Sequence, residues 1–541
     1  MANNSSQGVY SPLPQSLSDS DSEKDIPITV RPKFADRQNL HNGVHDTHHH
    51  NGYISPLQMM KIPEVQKVTP TMSTKRKICF LFSIAICFLT VFIFLWVIPC
   101  SENGTCPVKI SNWENQHEGI ELTGKINVVK SAFKNTLNLA LLFKRNLNVP
   151  DSQSGVISVL GNNGVVAWYI NQPKTSTTLN CYLIDVNGDD INDCLVLGEM
   201  GLEAVDPVSG TVFWHAHNHT QSAMMTQLDF PVILQDLNYD NINEILTTSN
   251  AYGESKFLII SGRTGILMGE INVGHPGIVN IIEINANNVI YSCTNDNETI
   301  YHQISVSDLI SKIFNRTEVI TSPNTDYVAK THGYTLNGRR LLINNVGVCP
   351  DNCRVDIALV DEKSNLNIKA WSYQNSYSFI PASFSFKQTK SNLDSLKGHV
   401  NGFILKLWQW FGYSKKDKNR KYPMKRYVAG NNSSVQVNSI MERVVLITFN
   451  TSSFHVINAS LTEITQLCLV HNFQQQCQPS LENQNNSLLI TDLDKDGSQE
   501  LVSYSSTFVQ REDLKENWQL VSNMKVIRLE AELPKLYEVS K

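Results

Sequence analysis

Three stretches of the chain put oxygen-bearing side chains at alternate positions of a short loop. "DVNGDDIND" offers Asp185, Asn187, Asp189 and Asp193; "DLNYDNINE" offers Asp236, Asn238, Asp240 and Glu244; "DLDKDGSQE" offers Asp492, Asp494, Asp496 and Glu500. Each set occupies positions one, three, five and nine. Calcium is a hard cation that takes six to eight oxygens, and alternate residues of a tight turn point inward together. An acid at position nine can fold back to close the cage, with a backbone carbonyl near position seven (Ile191, Ile242, Ser498) and water completing it. Position six needs a residue that tolerates positive φ: Gly497 suits best, Asp190 and Asn241 next. Asp and Asn also favour plain, metal-free turns. Against that reading, several carboxylates a few ångströms apart repel unless a cation sits between them, and the pattern occurs three times. The expected order of calcium binding is 492–500, then 185–193, then 236–244, and the role is structural, a cross-link at the edge of a sheet.

A helix–loop–helix calcium site runs twelve residues to a bidentate Glu and is flanked by amphipathic helices. Here the last acid is the ninth residue, and the flanks "SLLI" and "LVSY" read as strands. The loops must therefore be held by a β framework. From about residue 151 onward, short β-branched runs such as "GVISVL", "NCYLIDV", "KFLIISG", "VDIALVD" and "RVVLITF" alternate with Gly-, Asn- and Asp-rich turns. A helical pattern is expected only around 396–413. An all-β domain of this size exceeds one sandwich, and radial repetition of four-stranded units as a β-propeller accommodates it. "VDPVSGTVFW" and "IISGRTGILMG" share a strand–turn–strand pattern 55 residues apart, Asp206 to Ser261, and the acidic loops at Asp185 and Asp236 lie 51 apart. "VDEKSNLNIKAW" (360–371) is a degenerate later copy. That period predicts about seven blades over 151–541.

Other segments place the domain. Residues 78–98 are uncharged, and at about 1.5 Å per residue they match a roughly 30 Å hydrocarbon layer. Lys75, Arg76 and Lys77 precede them, so the expectation is a signal anchor with a cytoplasmic N-terminus and an extracellular or lumenal bulk, a single-pass type II arrangement at the plasma membrane or in Golgi or endosomal membranes. Sequons beyond the anchor at Asn103, Asn218, Asn297, Asn315, Asn431, Asn432, Asn450, Asn458 and Asn485 agree with it. Nine of the eleven cysteines follow residue 98. Cys349 with Cys353, and Cys468 with Cys477, can close small loops, and an odd count leaves at least one thiol over. Residues 1–77 read as a disordered tail whose Ser18, Ser20 and Ser22 lie among acids as phosphorylation candidates, with a His cluster at 41–50. Residues 99–150 read as a connector in which "SAFKNTLNLALLFKRN" has helical spacing. A net charge of -5 argues against a nucleic-acid partner.

The acidic loops, D-x-[DN]-x-D-[GDN]-x-x-[DE] between strands, resemble the FG-GAP repeats of integrin α propellers. The tail "YSPLPQSLSDSDSEKD", the single anchor, the propeller and "GFILKLWQW" (402–410) together resemble the single-pass membrane proteins called family with sequence similarity 234, over nearly the whole chain. The resemblance implies a location and a fold and no established catalysis. The anchor stands at the opposite end from that of integrin α. Three functions follow as expectations: a calcium-stabilised propeller that binds an unidentified protein ligand; a quinoprotein-like dehydrogenase, since "DPVSGTVFW" is similar to blades of such enzymes and Trp214 neighbours His215, His217 and His219; and a trafficking or scaffold role for the tail. The chain shows no G-x-S-x-G, H-E-x-x-H or phosphate-loop motif, so no catalytic residues are assigned. The basic stretch 414–426 reads as a solvated loop, and "LKLWQWF" as packed beneath a sheet.

Overall fold

The computed structural model describes residues 73–96, the side chains of the last four excepted, and, with short interruptions, residues 110–539. The tail with Ser18, Ser20 and Ser22, the stretch 414–426, and the sequons Asn103, Asn297, Asn431 and Asn432 lie outside the described residues. Two units are distinguished, Met1–Cys87 and Phe88–Lys541.

Helix α1 (Thr74–Trp96) forms over the apolar run and begins with the three basic residues in its first turn. Its side chains from Ile78 to Phe92 are exposed, Phe82 at 68% and Phe88 at 71%. This uncharged stretch rises about 22 Å, and among the described residues no helix is long and apolar enough to cross a membrane.

The described residues of the second unit build seven antiparallel sheets in chain order. The first comprises Ile120–Lys130, Leu137–Arg145, Ser154–Leu160 and Val166–Gln172, and the second Ser176–Ile184, Asp193–Gly198, Gly201–Val205 and Val212–His215. The third runs from Val232–Ile233 through Ile245–Ala251 and Glu254–Ile260 to Leu267–Val273, and gains the parallel strand Val319–Ile320. The fourth has three strands between Ile278 and Ser305, after which α2 (Val306–Phe314) leads back toward the third sheet. Strands from Gly333–Leu336 to Asn367–Gln374 form the fifth, and seven strands from Ser376–Ser378 to Gln474–Gln478 form the sixth. The last contains Leu488–Thr491, Glu500–Gln510 and Trp518–Arg528, flanked by α3 (Leu481–Gln484) and α4 (Leu529–Val539). Its outer position is filled by Trp113–Glu118, with Trp113 opposite Val526, so the start of the domain closes its end.

Three expectations are corrected here. The described part of the stretch 99–150, read as a connector, supplies the closing strand Trp113–Glu118 and two strands of the first sheet, Ile120–Lys130 and Leu137–Arg145. The stretch read as helical, 131–146, contains the strand Leu137–Arg145. Its residues alternate between two cores. Leu139, Leu141 and Phe143 pack with Val502, Tyr504, Met524 and Val526 of the last sheet, while Ala140 and Leu142 pack with Leu179, Val196 and Val205 of the second. A strand covered on both faces is apolar throughout, and its period-two signal vanishes. The helical pattern expected at 396–413 fails for the same reason. Gly398–Trp410 is a strand whose Phe403, Leu405 and Leu407 face the fifth sheet and whose Ile404 faces the last. As expected, the described part of "LKLWQWF", residues 405–410, is packed in, with Trp408 fully buried.

Each apolar core is shared by consecutive sheets: first with second, second with third, third with fourth, fifth with sixth, sixth with last, and last with first. A tryptophan clip recurs at three of these junctions. Trp113, Trp168 and Trp214 each stand on the outer strand of one sheet and donate Nε1–H to the next sheet's turn, at Gly161 (2.9 Å), Pro207 (3.0 Å) and Gly262 (3.0 Å). Each ring lies over a positive-φ glycine of that turn: Gly164, Gly210 and Gly265, where an added Cβ would sit 2.3, 2.7 and 2.6 Å from ring carbons. The latter two turns are those of the repeats read in the sequence, and the later copy forms the equivalent turn at Asp361–Leu366 of the fifth sheet.

Disulfides Cys349–Cys353 and Cys468–Cys477 form as the spacing suggested. Cys181–Cys194, across the first two strands of the second sheet, was not foreseen, and Cys293 is a buried free thiol.

Candidate metal centre

All three acidic loops join the first and second strands of their sheets, the second, third and last. Their backbones follow one template. The acid at position one accepts the amide of position six: Asp190 to Asp185 (2.8 Å), Asn241 to Asp236 (2.9 Å) and Gly497 to Asp492 (2.9 Å). These position-six residues have φ of 62°, 66° and 84°, the left-handed region the sequence demanded. The acid at position five accepts the amide of position seven in each loop: Ile191, Ile242 and Ser498. The ninth-position acid folds back, as expected, onto the amide of position two: Val186 to Asp193 (2.8 Å), Leu237 to Glu244 (3.0 Å) and Leu493 to Glu500 (2.9 Å).

The loops differ in how the carboxylates meet. In 185–193 and 236–244 the position-three amides, Asn187 and Asn238, each donate to the position-five acid at 3.0 Å. Arg263 also stands 3.7 Å from Asp240. In 492–500, position three is an acid, and Asp492, Asp494 and Glu500 bring one oxygen each within 4.8 Å of one another. Glu500 is fully buried, and its Oε1 has no hydrogen-bond partner; Glu244 Oε1 is in the same condition. Burial, aided by the charges of Asp494 and Asp492, pushes the Glu500 carboxyl up to about 7 against the pull of the Leu493 amide. Burial likewise pushes Asp193 up to about 7, with Asp185, Asp189 and Asp206 adding to the shift. Glu244 is raised by the same causes, burial first. Burial thus disfavours the charged form of each ninth-position acid, and Glu500 has a spare buried oxygen in the loop whose carboxylates converge. Hard oxygen donors of this kind fit a calcium ion, which Asp492, Asp494 and Glu500 could hold with Asp496 adjacent.

The loop 492–500 is also gripped from outside, by residues that the spacing rule did not find. Arg528 donates through Nη2 to Asp496 Oδ2 and Ser498 Oγ, and its Nη1 lies 3.8 Å from Asp494 Oδ2. The Ile110 amide donates to Asp494 Oδ2 at 2.7 Å, and Glu530 of α4 accepts from the Gln499 amide at 3.2 Å. Burial opposes ionisation of Asp496, but the hydrogen bonds of Arg528 and Ser498 outweigh it and hold that carboxyl down at about 2.

Of the histidines grouped in the sequence, the two described ones, His215 and His217, take separate partners. His215 Nδ1 lies 3.1 Å from the buried Glu203, His217 Nδ1 meets the His215 carbonyl at 2.8 Å, and His219 lies outside the described residues. Of the described sequons, Asn315 and Asn458 are exposed, and Asn218, Asn450 and Asn485 are half-buried.

Among solved structures, the chain is similar to a europium-containing methanol dehydrogenase at 9% identity and a TM-score of 0.25, covering 72% of this chain and 85% of that one. The quinohemoprotein alcohol dehydrogenase of Comamonas testosteroni gives 9% identity and a TM-score of 0.25, covering 75% and 76%. A subtype N11 neuraminidase-like protein of A/flat-faced bat/Peru/033/2010 gives 10% and 0.22, covering 77% and 94%. No curated protein matches the chain. Residues 140–335 match the family model described as FAM234A/B beta-propeller, which supports assigning the chain to the FAM234 family.

Proposed function

We propose that the protein is a non-enzymatic, single-pass type II membrane glycoprotein whose seven sheets are the blades of a calcium-stabilised propeller that binds another protein. The observation that carries this reading is one acidic loop built three times at the same hairpin, with the buried Glu500 Oε1 unpartnered in the loop whose carboxylates converge. A cation there ties the first two strands of a blade together and performs no chemistry on a substrate. The 21-residue uncharged run 78–98 supports the anchor, and the exposed apolar flank of α1 has the surface that lipid would cover. The exposed sequons Asn315 and Asn458 support an extracellular or lumenal propeller, and the serines of the tail support recruitment at the cytoplasmic face.

The test uses the full chain in cells. A peroxidase confined to the lumen and cell surface should label the propeller and its bound proteins, and peptide N-glycosidase should lower its apparent mass. Labelling of the propeller by a cytosol-restricted reagent, with no change of mass on deglycosylation, would overturn the topology. Turnover of an alcohol by the chain loaded with a quinone would overturn the non-enzymatic assignment.

A further inference from the structure

We propose that Arg528 is the built-in competitor for calcium at loop 492–500 and sets the affinity of that site. The inference rests on the calcium reading given above and adds its regulation. Arg528 ends the strand Trp518–Arg528 and lies directly opposite Glu500 in the register of the last sheet. Its side chain is 12% exposed, and the guanidinium meets the loop at Asp494, Asp496 and Ser498. There it holds Asp496, the position-five ligand, by a hydrogen bond that Ser498 Oγ shares, and faces the inner oxygen pair through Asp494. Asp492, Asp494 and Glu500 converge without Asp496. The fourth carboxylate is therefore parked on the arginine. For calcium to gain a full set of hard oxygens, Asp496 must exchange the guanidinium for the ion.

The exchange has a structural cost that sets its strength. The same arginine donates to the Ile110 carbonyl at 3.5 Å, and its backbone amide donates to Asn112 Oδ1 at 2.8 Å. Ile110 in turn donates to Asp494. The segment entering the domain, the end of its last strand and the acidic loop thus form one connected group. Calcium binding loosens the arginine's grip on that segment, and the arginine's grip weakens calcium. A single fixed positive charge cannot neutralise four acids, so the site keeps a demand for a divalent ion. It is tuned toward the weak affinities that suffice where calcium is abundant. In loop 236–244 the corresponding acid, Asp240, meets only an exposed arginine, Arg263, at 3.7 Å from its Oδ2 and through its carbonyl at 2.9 Å, and no arginine or lysine meets loop 185–193 in an ion pair among the described residues.

The experiment is calcium titration of the full chain in detergent, by calorimetry and by thermal melting, for the wild type, Arg528→Gln, Arg528→Lys and Asp494→Asn/Glu500→Gln. The expected result is a site that tightens about tenfold or more in Arg528→Gln and moves less in Arg528→Lys, which keeps the charge but loses the two-pronged geometry. The double acid variant lacks that site. Equal or weaker calcium binding in Arg528→Gln, with the site still present in the wild type, overturns the competition and leaves the calcium reading standing. Loss of no calcium in the double acid variant overturns the calcium reading of this loop and the inference with it. Should Arg528→Gln fail to fold, the Arg528→Lys titration decides alone: unchanged affinity refutes the proposal and tightened affinity supports it.

Discussion

A nine-residue spacing told where carboxylates gather, and the fold explains what that gathering costs. Asp and Asn at positions one, three and five satisfy loop amides first, so much of each side chain's hydrogen-bonding capacity is spent on the turn itself. The ninth acid is different, because it enters the sheet and loses water. Glu500 is held near 7 by burial, so at neutral pH without a cation its ionised form works against the fold. This gives a crossover test. In chelator at pH 8, Glu500→Gln should match or exceed wild-type stability. In millimolar calcium the wild type should gain roughly 1–3 kcal/mol, by binding linkage, and the variant should gain markedly less. Thermal melts of both proteins with and without calcium check the sign. A variant weaker than wild type in both buffers would mean that Glu500 serves as an ordinary hydrogen-bonded acid. Arg528 was not legible from the loop, since it lies 28 residues beyond Glu500 and meets the loop only through strand pairing.

Among elements, the legible ones were those with a polar face. The repeats around Asp206 and Ser261 announced themselves because a tight turn needs glycine at Gly210 and Gly265, and a tryptophan ring covers each. The illegible ones were the middle strands, apolar on both faces, where Leu137–Arg145 and Gly398–Trp410 imitate helices. Trp168→Ala should cost about 3–5 kcal/mol, as large core truncations do. Gly210→Ala should also destabilise, because the backbone is in the left-handed region and the Trp168 ring fills the space; urea midpoints measure both. The return of the chain from α2 to the third sheet carries a pH dependence. The backbone of Ser322 bridges two stacked imidazoles with centroids 3.8 Å apart: its amide donates to His275 Nε2 at 3.1 Å, and its carbonyl meets His302 Nδ1 at 3.2 Å. Tyr291 covers the same pair. Burial and the neighbouring His302 lower the His275 pKa below its ordinary value. A lowered histidine contributes stability above its unfolded pKa of about 6.5, and that contribution is lost as pH falls through the folded value. Protection factors at 319–323, which normalise for the intrinsic pH dependence of exchange, should therefore fall as the pH drops below about 6.5, and His275→Gln, which keeps an acceptor but cannot charge, should flatten the response. An unchanged exchange profile in the variant would remove the histidine from the account.

At the scale of the whole domain, the decisive contact joins residues about 400 apart in sequence: Trp113–Glu118 lies against Trp518–Arg528. No local pattern announces a pairing of that separation, which is why the boundary drawn at residue 151 excluded three strands that the domain needs. The closing strand brings more than hydrogen bonds. Trp113 clips the last sheet to the first through Gly161 and Gly164, and the Gly119 amide bonds the Leu520 carbonyl at 2.7 Å. Just before it, Ile110 and Asn112 reach the acidic loop and Arg528. A chain beginning at residue 120 keeps every other strand, so each sheet could still form, and the loss isolates closure itself. Such a chain should melt lower than one beginning at residue 99, be nicked by protease within 488–528, and lose calcium's protection of that sheet while loops 185–193 and 236–244 retain theirs. Adding a peptide of residues 108–119 should restore resistance to the protease, because the outer edge of Trp518–Arg528 is then paired again. If the chain beginning at 120 resists protease and melts as the longer one does, closure by the first strand is dispensable, and the coupling between the entering segment and the acidic loop falls with it.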